Sequence, residues 1–455
     1  MRLRFVLALI VSKLSIVALK ITKHNGTNMP GLLALSICPD FIKLVNKPKK
    51  IIVVTGTNGK TTVSNLINDT FKYLKLNVLN NSLGSNINTG IAAALIYGVS
   101  IFNKEKYDIG VFEIDERSAP RVYPYLDIDY LIITNLSRDS LVRNAHPEYI
   151  ASLIEKSLQK KTKLILNADD MMSNGIAKDN ERVYFGIEKM DSDVTSCHNL
   201  INDITVCPHC HSELSFEYLR YSNIGKVYCP KCGFRSPDYD YSFKDADLKK
   251  MEVTFTSKLG EKRFRLFNES IFNMYNELIL LSLLVELGYN YDTIEDITKH
   301  IGITKSRYNS EIINDIEVAM QMAKDKNGYA CSRAFEYIIT RPRDKEIVLM
   351  MNCTRDAKEW SELICWLYEG DFELLNRDDI IHIVTYGKRG LDFRMRLREA
   401  GIKDEKISVV NDLKDIAQAL WLKKGTAVYV LHSSAVDEGF EVCQAIKDRI
   451  KEVRK

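Results

Sequence analysis

Residues 51–62 read IIVVTGTNGKTT. The four branched apolar residues at the start are typical of a buried strand, and a helical pattern follows from Val63 to Leu74. A strand, a glycine-rich turn and a helix that begins with lysine and threonine form a phosphate-binding loop. This turn is shorter than the general GxxxxGK[ST] pattern because residue 54 is valine. The stretch therefore predicts a nucleotide site on an α/β sheet.

The chemistry of such a loop assigns roles to its residues. Lys60 would contact the β- and γ-phosphates, and the hydroxyl of Thr61 would bind Mg²⁺. Backbone amides at the start of the helix favour an anion because they lack partners within the helix. The predicted nucleotide-binding residues of the loop are Thr57, Asn58, Gly59, Lys60, Thr61 and Thr62.

Composition limits the class of protein. The chain has 455 residues, of which 45% are hydrophobic and 27% charged, so two or three globular domains are expected. A net charge of +3 does not indicate a polyanion as partner. Ten cysteines without a clean secretory signal favour a reducing compartment, and we therefore predict a cytoplasmic protein.

The N-terminus carries an apolar run, Phe5–Val11, which follows two arginines and is interrupted by Lys13 and Lys20. The run is too short to span a membrane, but its periodicity predicts an amphipathic docking helix. A peripheral membrane contact is the alternative. The predicted docking face consists of Leu3, Val6, Leu7, Ile10, Leu14 and Val17.

Apolar runs alternate with helical patterns over most of the remaining chain. Runs at 107–114, 130–134 and 163–167 predict a doubly wound parallel sheet, and runs at 346–351, 380–385 and 427–432 predict a second alternating region. We expect a helical lead-in at 1–48, a central ATP-binding domain at 49–304 with an insertion at about 200–241, and a C-terminal α/β domain at 305–455.

Polar side chains follow two of these runs. The carboxyl ends of parallel strands meet at one edge of a sheet, so Glu113 and Asn135 are expected beside the phosphate loop. A carboxylate there suits Mg²⁺, and Asn135 with Arg138 and Asp139 could bind nucleotide or substrate. Solvated strand ends are the alternative. Asn273 and Asn276 share one face of a helix and suit an adenine or ribose edge, or else helix capping.

Two CxxC pairs lie in the insertion, separated by eighteen residues. Each pair places two thiolates on a tight turn, and two such turns complete a tetrahedral site for Zn²⁺. Four thiolates leave no open position, so a structural zinc is expected. The ligands would be Cys207, Cys210, Cys229 and Cys232.

The loop TGTNGKT at 55–61 resembles that of the Mur ligases and folylpolyglutamate ligases. More narrowly, the chain is similar to the MurT group, the synthetase subunits of lipid II isoglutaminyl synthase. The similarity rests on GSNINTG at 84–90, EIDE at 113–116, the four-cysteine insertion and YGKRG at 386–390. It implies a Mur ligase-type central domain with a parallel sheet and an inserted zinc ribbon, followed by a Rossmann-like α/β C-terminal domain.

The resemblance also implies an activity. In that group, ATP phosphorylates the α-carboxylate of D-glutamate in the lipid II stem peptide, and ammonia converts the acyl phosphate to D-isoglutamine. A separate class I glutaminase subunit, GatD, supplies the ammonia. The implied catalytic residues are Lys60 and Glu113, with Mg²⁺ bound by Thr61 and Glu113, and the resemblance carries Arg307 over as a nucleotide-binding residue.

The C-terminal region departs from the group's pattern at 352–360. One aspartate of that pattern is thought to complete the glutaminase's catalytic triad, and Asp356 is the nearest candidate here. A surface acid is the alternative for Asp356. Two other functions stay open: a Mur-like ligase that adds an amino acid to a cell-wall precursor, and a non-catalytic nucleotide-binding scaffold.

Overall fold

The computed structural model describes residues 2–22, 28–82, 85–138, 146–302, 308–323, 327–351, 364–433 and 436–452. These residues divide into two compact units. The first contains the described residues up to 302, apart from Arg138 and His198–Ile201. The second contains these residues and the described chain from 308 onward.

The first unit is built on a mixed sheet with helices on its faces. Its helices are α1 (Arg2–Ile21), α2 (Met29–Ile37), α3 (Phe41–Leu44), α4 (Lys60–Tyr73), α5 (Asn88–Gly98), α6 (Ala119–Val122), α7 (Pro147–Ser157), α8 (Met171–Asn174), α9 (Ile271–Glu286) and α10 (Tyr291–His300). Its strands are β1 (Lys50–Thr55), β2 (Val78–Asn80), β3 (Ile109–Glu113), β4 (Tyr130–Ile133), β5 (Lys163–Asn167), β6 (Arg182–Ile187), β7 (Ser215–Tyr221), β8 (Ile224–Tyr228), β9 (Tyr241–Asp247), β10 (Glu252–Ser257) and β11 (Gly260–Arg265).

In the described chain, the strand order of this sheet is β11-β10-β9-β6-β5-β4-β1-β3-β2. The strands from β9 to β2 are parallel, which confirms the predicted parallel sheet, and β10 and β11 extend it as an antiparallel hairpin. Strands β7 and β8 form a separate antiparallel pair within the cysteine-rich insertion. Strand β1 lies between β3 and β4, so the phosphate loop follows an interior strand, the third from the β2 edge of the sheet.

The second unit is a smaller α/β layer structure. Its elements are β12 (Tyr308–Ile313), β13 (Ile316–Met322), α11 (Gly328–Ile339), β14 (Asp344–Met350), β15 (Ile380–Tyr386), α12 (Gly390–Glu399), β16 (Ile407–Val410), α13 (Ile416–Ala419), β17 (Thr426–His432) and α14 (Val436–Glu452). The strand order is β12-β13-β17-β14-β15-β16, and only β12 is antiparallel to its described neighbour. The predicted Rossmann-like α/β domain is thereby confirmed as an α/β fold.

Helix α1 forms, and the predicted docking face does not pack into the first unit. The opposite face packs into the first unit through Phe5, Ala8, Leu9 and Ile16, and the Phe5 ring stacks on Phe41 at a centroid distance of 5.3 Å. Ala8 and the buried Ser12 are small, which lets neighbouring helices approach closely. We call the exposed side the α1 apolar face; it comprises Leu3, Val6, Leu7, Ile10, Leu14 and Val17, which are 45–83% exposed.

Each described helix is too short or too polar to cross a bilayer.

Candidate active site and metal centre

The phosphate loop follows β1 and requires glycine at two positions. Gly56 and Gly59 have φ angles of +124° and +87°, which only glycine adopts without strain. A Cβ atom at Gly56 would lie 2.3 Å from the Thr134 hydroxyl, and one at Gly59 would lie 2.5 Å from Oδ1 of Asn276. The loop is therefore closely enclosed by neighbouring segments.

The segment after β4 supports this loop through hydrogen bonds. The Thr134 hydroxyl donates to the Asn58 carbonyl at 2.6 Å. The Asn135 amide accepts from the Asn58 N–H at 3.3 Å and donates to the Asn58 carbonyl at 3.1 Å. Thr57 and Ser137 exchange two further bonds of 3.1 and 3.0 Å. The structure thus places Asn135 beside the loop, where its amide holds the backbone.

Lys60 begins α4 and pairs with a buried acid that the sequence reasoning did not single out. Its ammonium lies 2.8 Å from Oε1 of Glu116, and the same oxygen accepts the Gly56 N–H at 3.0 Å. Both side chains are largely buried. One carboxylate therefore engages an ammonium and a loop amide, the two kinds of donor that bind phosphate.

Electrostatics favour the charged form of this lysine. Burial alone would lower the pKa of Lys60, but the Glu116 carboxylate, with help from Glu113 and Asp115, outweighs it and raises that pKa. The ammonium is therefore retained at neutral pH. Glu116 is found three residues beyond the end of β3, in a 3₁₀ turn at 116–118, and only that turn brings it back to the loop.

The predicted magnesium ligands lie at the same edge of the sheet. Glu113 ends β3 and pairs with Val54, two residues before Gly56. It is half-buried, and its Oε1 accepts a hydrogen bond of 3.0 Å from the Asn86 amide. Thr61 is exposed in the first turn of α4. One carboxylate and one hydroxyl fit Mg²⁺, which takes its other ligands from water and substrate phosphates.

The structure also brings Asn276 to the loop. Its amide nitrogen donates to Oδ1 of Asn273 at 3.2 Å, and its own Oδ1 lies against Gly59. Asn276 is buried near the start of α9, whereas Asn273 is half-buried. The two amides thus act as a connected pair at the phosphate loop.

The four predicted cysteine ligands converge. Their Sγ atoms all lie within 4.8 Å of one another, with Cys207–Cys232 at 3.6 Å and Cys210–Cys229 at 3.5 Å. A tetrahedral zinc with Zn–S bonds of about 2.3 Å requires S···S separations of about 3.8 Å. The donor set and its spacing therefore fit a closed Zn²⁺ site. A small core of Ile204, Leu214 and Val227 packs behind the two knuckles.

A buried polar network connects the insertion to the sheet. Arg220, on β7, lies 3.3 Å from Asp169 and 2.8 Å from Asp193, and all three are almost fully buried. The Tyr275 hydroxyl donates to Asp169 at 2.6 Å, and Asp169 accepts the Tyr239 hydroxyl at 2.5 Å. Tyr275 precedes Asn276 on α9. The insertion and helix α9 therefore share one carboxylate, that of Asp169.

The next residue connects this network to the phosphate loop. Asp170 accepts the Leu136 N–H at 2.6 Å, and Leu136 belongs to the segment that supports the loop. Asp170 also forms a backbone bridge with Ile224, on β8. Burial raises the pKa of Asp170 to about 6, although backbone N–H groups oppose this.

Other predicted residues belong to the second unit or lie outside the described chain. Arg138 belongs to the second unit, where it lies 3.0 Å from Glu369. Asp139, Arg307 and Asp356 fall outside the described residues, so their assigned roles stay predictions.

Two family profiles match the chain. The Mur ligase middle domain matches residues 54–210, and the MurT ligase C-terminal domain matches residues 325–435. The first match covers the phosphate loop and the first cysteine pair, and the second covers most of the C-terminal α/β unit.

Similar proteins agree with these matches. The MurT subunit of lipid II isoglutaminyl synthase from Staphylococcus aureus is 28% identical over 87% of this chain and 88% of its own. The Streptococcus pneumoniae MurT subunit is 28% identical, with 90% of both chains covered. Among solved structures, a pseudomurein peptide ligase type C from Methanothermus fervidus matches with a TM-score of 0.66 at 21% identity, covering 90% of this chain and 81% of that one. The chain thus contains a Mur ligase middle domain and a C-terminal domain of the MurT type, and it is similar to MurT subunits over most of its length.

Proposed function

We propose that this protein is an ATP-dependent carbon–nitrogen ligase that amidates the α-carboxylate of D-glutamate in the stem peptide of lipid II. The observation that carries the proposal is the phosphate loop with Lys60, Thr61 and Glu113 at one sheet edge. Such an edge suits carboxylate activation by phosphoryl transfer, and the MurT relatives are named as subunits of lipid II isoglutaminyl synthase.

In the proposed site, the loop amides and Lys60 hold the ATP phosphates, and Asn276 with Asn273 contacts the nucleoside. Thr61 and Glu113 would hold Mg²⁺, which neutralises charge on the transferring phosphoryl group when bound. Positioning and electrostatic stabilisation then provide most of the rate enhancement. No nucleophilic side chain of the protein is required.

The reaction balances in two steps. An oxygen of the substrate carboxylate attacks the γ-phosphorus of ATP, the bond to the β-phosphate oxygen breaks, and ADP leaves. The nitrogen of ammonia then attacks the carbonyl carbon of the acyl phosphate. Inorganic phosphate departs with the C–O bonding electrons, and a proton from nitrogen passes to solvent, which leaves the amide.

Ammonia must come from elsewhere. We propose a separate class I glutaminase subunit of the GatD type as partner, in keeping with the words "glutamine-hydrolyzing" and "subunit" in the relatives' names. Asp356 is the proposed residue of this chain that assists the glutaminase. Asp356→Asn is expected to reduce glutamine-driven amidation at least about tenfold and to spare ammonium-driven amidation. Glu359→Gln tests the second candidate acid in this segment, and Glu399→Gln, at an exposed carboxylate of α12, is the control. Equal loss with both nitrogen sources in Asp356→Asn would contradict this role.

We further propose that Cys207, Cys210, Cys229 and Cys232 hold a structural zinc ion. Thiolates at this spacing match the ligand preference of Zn²⁺, and a saturated site has no place for substrate. A cytoplasmic location follows from the nucleotide and lipid II chemistry that we assign, since ATP and free thiols both belong to that compartment.

A ligase that adds an amino acid is the second candidate, favoured by the departure of residues 352–360 from the MurT pattern. One experiment separates the two. Purified protein with ATP, Mg²⁺ and lipid II is supplied either with ammonium or with free amino acids, and the products are analysed by mass spectrometry. We expect amidated lipid II with ammonium alone. Product with an amino acid but none with ammonium would establish the second candidate, and no ADP release under any condition would favour a scaffold.

A further inference from the structure

The α1 apolar face lies uncovered on the first unit. Its six side chains are 45–83% exposed, whereas the opposite side of the same helix is buried. Monomeric soluble proteins rarely expose a continuous apolar surface of this extent unless something binds to it. The face is therefore a candidate interaction surface.

Apolar side chains from two neighbouring elements surround it. Ile21 is exposed at the end of α1, as are Met29 and Leu32 on α2, which packs along α1. The turn after α5 presents Phe102, which is 85% exposed, and beside it Ile101.

Lys13 connects the turn to α1. Its ammonium donates to the carbonyls of Ile96 and Val99, at the end of α5 and two residues before Ile101. Lys13 lies at the border of the α1 apolar face, seven residues before Lys20 and thus on the same side of the helix. The exposed Phe102 turn is thereby held next to α1.

The charged side chains of α1 have one sign. Helix α1 contains two arginines and two lysines and no acidic residue. After the Phe102 turn, Lys104 and Lys106 flank the exposed Glu105, so this segment is net positive, and Lys106 is close enough to Lys13 to act on its charge. An apolar face bordered by basic side chains complements a surface that is apolar inside and anionic outside.

We propose that the α1 apolar face and the Phe102 turn dock on the surface of an anionic lipid bilayer. Apolar side chains would enter the boundary between head groups and acyl chains, while Arg4, Lys20 and Lys104 contact anionic head groups. The inference rests on the proposed function in one respect: a lipid-linked acceptor places the substrate at such a surface.

A second copy of the chain fits the surface less well. The spacing of Leu3, Leu7, Ile10, Leu14 and Val17 alternates between four and three residues, which suits a helix–helix seam. A seam between copies would bring together two α1 helices, each of which carries four positive charges and no negative charge. It would also leave the Phe102 turn unexplained.

The test is co-flotation of the full-length protein with vesicles that contain no lipid II, either pure phosphatidylcholine or phosphatidylcholine with phosphatidylglycerol. We expect binding to the anionic vesicles that weakens as salt is raised. Leu7→Glu with Leu14→Glu should reduce that binding at least about tenfold, because two charges would enter the apolar layer. Leu391→Glu with Met395→Glu is the matched control, since both lie exposed on α12 of the second unit.

Three results would overturn the docking proposal. They are absence of wild-type binding to anionic vesicles, equal binding by the Leu7/Leu14 variant, or a wild-type dimer that this variant abolishes without any vesicle binding. Amidation of a water-soluble stem-peptide acceptor is measured in parallel. We expect the Leu7/Leu14 variant to retain it, and its absence in the wild type would count against the proposed function alone, because vesicle binding is scored without substrate.

Discussion

The phosphate loop and the cysteine ribbon (residues 200–241) both gather ligand-binding atoms on tight turns, yet they differ in what holds them. The loop contains its own counter-charge, because Glu116 neutralises Lys60, and its backbone is bonded to residues 134–137. The ribbon gathers four groups of one kind, which all become negative when they bind a metal.

This difference indicates which of the two sites keeps its structure when its ligand is removed. Removal of nucleotide leaves the loop with satisfied partners, so the protein is expected to hold it in place. Removal of a metal leaves thiolates that repel one another around a core of a few side chains. We therefore expect nucleotide to bind a preformed site and zinc to contribute to folding of the ribbon.

The largest effect should come from the metal. Purified protein is expected to contain about one zinc per chain, with an apparent binding free energy of about 10–16 kcal/mol. Cys207→Ser with Cys229→Ser should lose the metal and expose the ribbon to proteolysis at 200–241. Elemental analysis and limited proteolysis measure both. Cys365→Ser, at an exposed cysteine outside the cluster, should change neither. Full zinc retention in the double variant would show that the cluster is not the metal site.

The next effect concerns catalysis at the loop. Lys60→Ala should lower kcat by about 10³-fold or more while the protein remains folded, because charge on the transferring phosphoryl group would no longer be neutralised. Turnover with ammonium and circular dichroism provide the two readouts. Adding Glu116→Gln to this variant removes the acid left unpaired and should restore stability without restoring turnover. Near-normal turnover in Lys60→Ala would refute the assignment of this loop.

The single variant Glu116→Gln tests the counter-charge by itself, because it removes the negative charge and keeps Lys60. A buried ion pair that loses one partner destabilises the fold, here by about 3 kcal/mol. Because Lys60 would then lack its internal anion, added ADP should stabilise the variant more than the wild type. Chemical denaturation with and without ADP measures both changes, and Glu148→Gln, at an exposed carboxylate, is the control. An equal ADP response in variant and wild type would mean that Glu116 does not compete with phosphate.

The smallest effect depends on pH. The pKa of Asp170 is about 6 in the folded protein, above the value of about 4 of an unfolded aspartate. Between these pH values the unfolded chain releases a proton that the folded chain keeps, so rising pH lowers the free energy of unfolding, by up to about 2–3 kcal/mol.

Asp170→Asn removes this titration and keeps an oxygen that can accept the Leu136 N–H. The free energy of unfolding of the wild type, minus that of the variant, should therefore fall from pH 4 to pH 6 and level off above pH 7. Asp179→Asn, on an exposed carboxylate, should show no such difference. A flat difference for Asp170→Asn would mean that burial does not hold its proton.

Much of the fold could be predicted because buried strands consist of continuous apolar runs. Strand β5 has the predicted bounds, and β4 and β15 differ by one residue. The hairpin of β10 and β11 was not predicted, since polar and charged residues separate its few apolar residues. The face of α1 that packs into the first unit was not predicted, because the helix is apolar on two sides and periodicity alone does not choose between them.

The candidate site likewise contains residues that the sequence predicts and residues that it does not. Residues within one motif, such as Lys60 or the cysteines, follow from local spacing, and so does Glu113 at a strand end. Glu116 does not, because its approach to Lys60 depends on the turn that follows β3. Asn135 was expected to bind ligand, and the structure shows its amide bonded to the loop backbone, a contact that depends on the register of β1 and β4.

The adjacent residues Asp169 and Asp170 have a further consequence. One carboxylate anchors the ribbon through Arg220, and the other holds the segment that supports the phosphate loop. If each ligand orders its end of this dipeptide, the two sites share a coupling free energy, and that coupling is reciprocal. By whatever factor bound zinc changes the affinity for nucleotide, bound nucleotide must change the affinity for zinc. If that factor exceeds one, zinc-depleted protein would bind ATP more weakly than zinc-loaded protein.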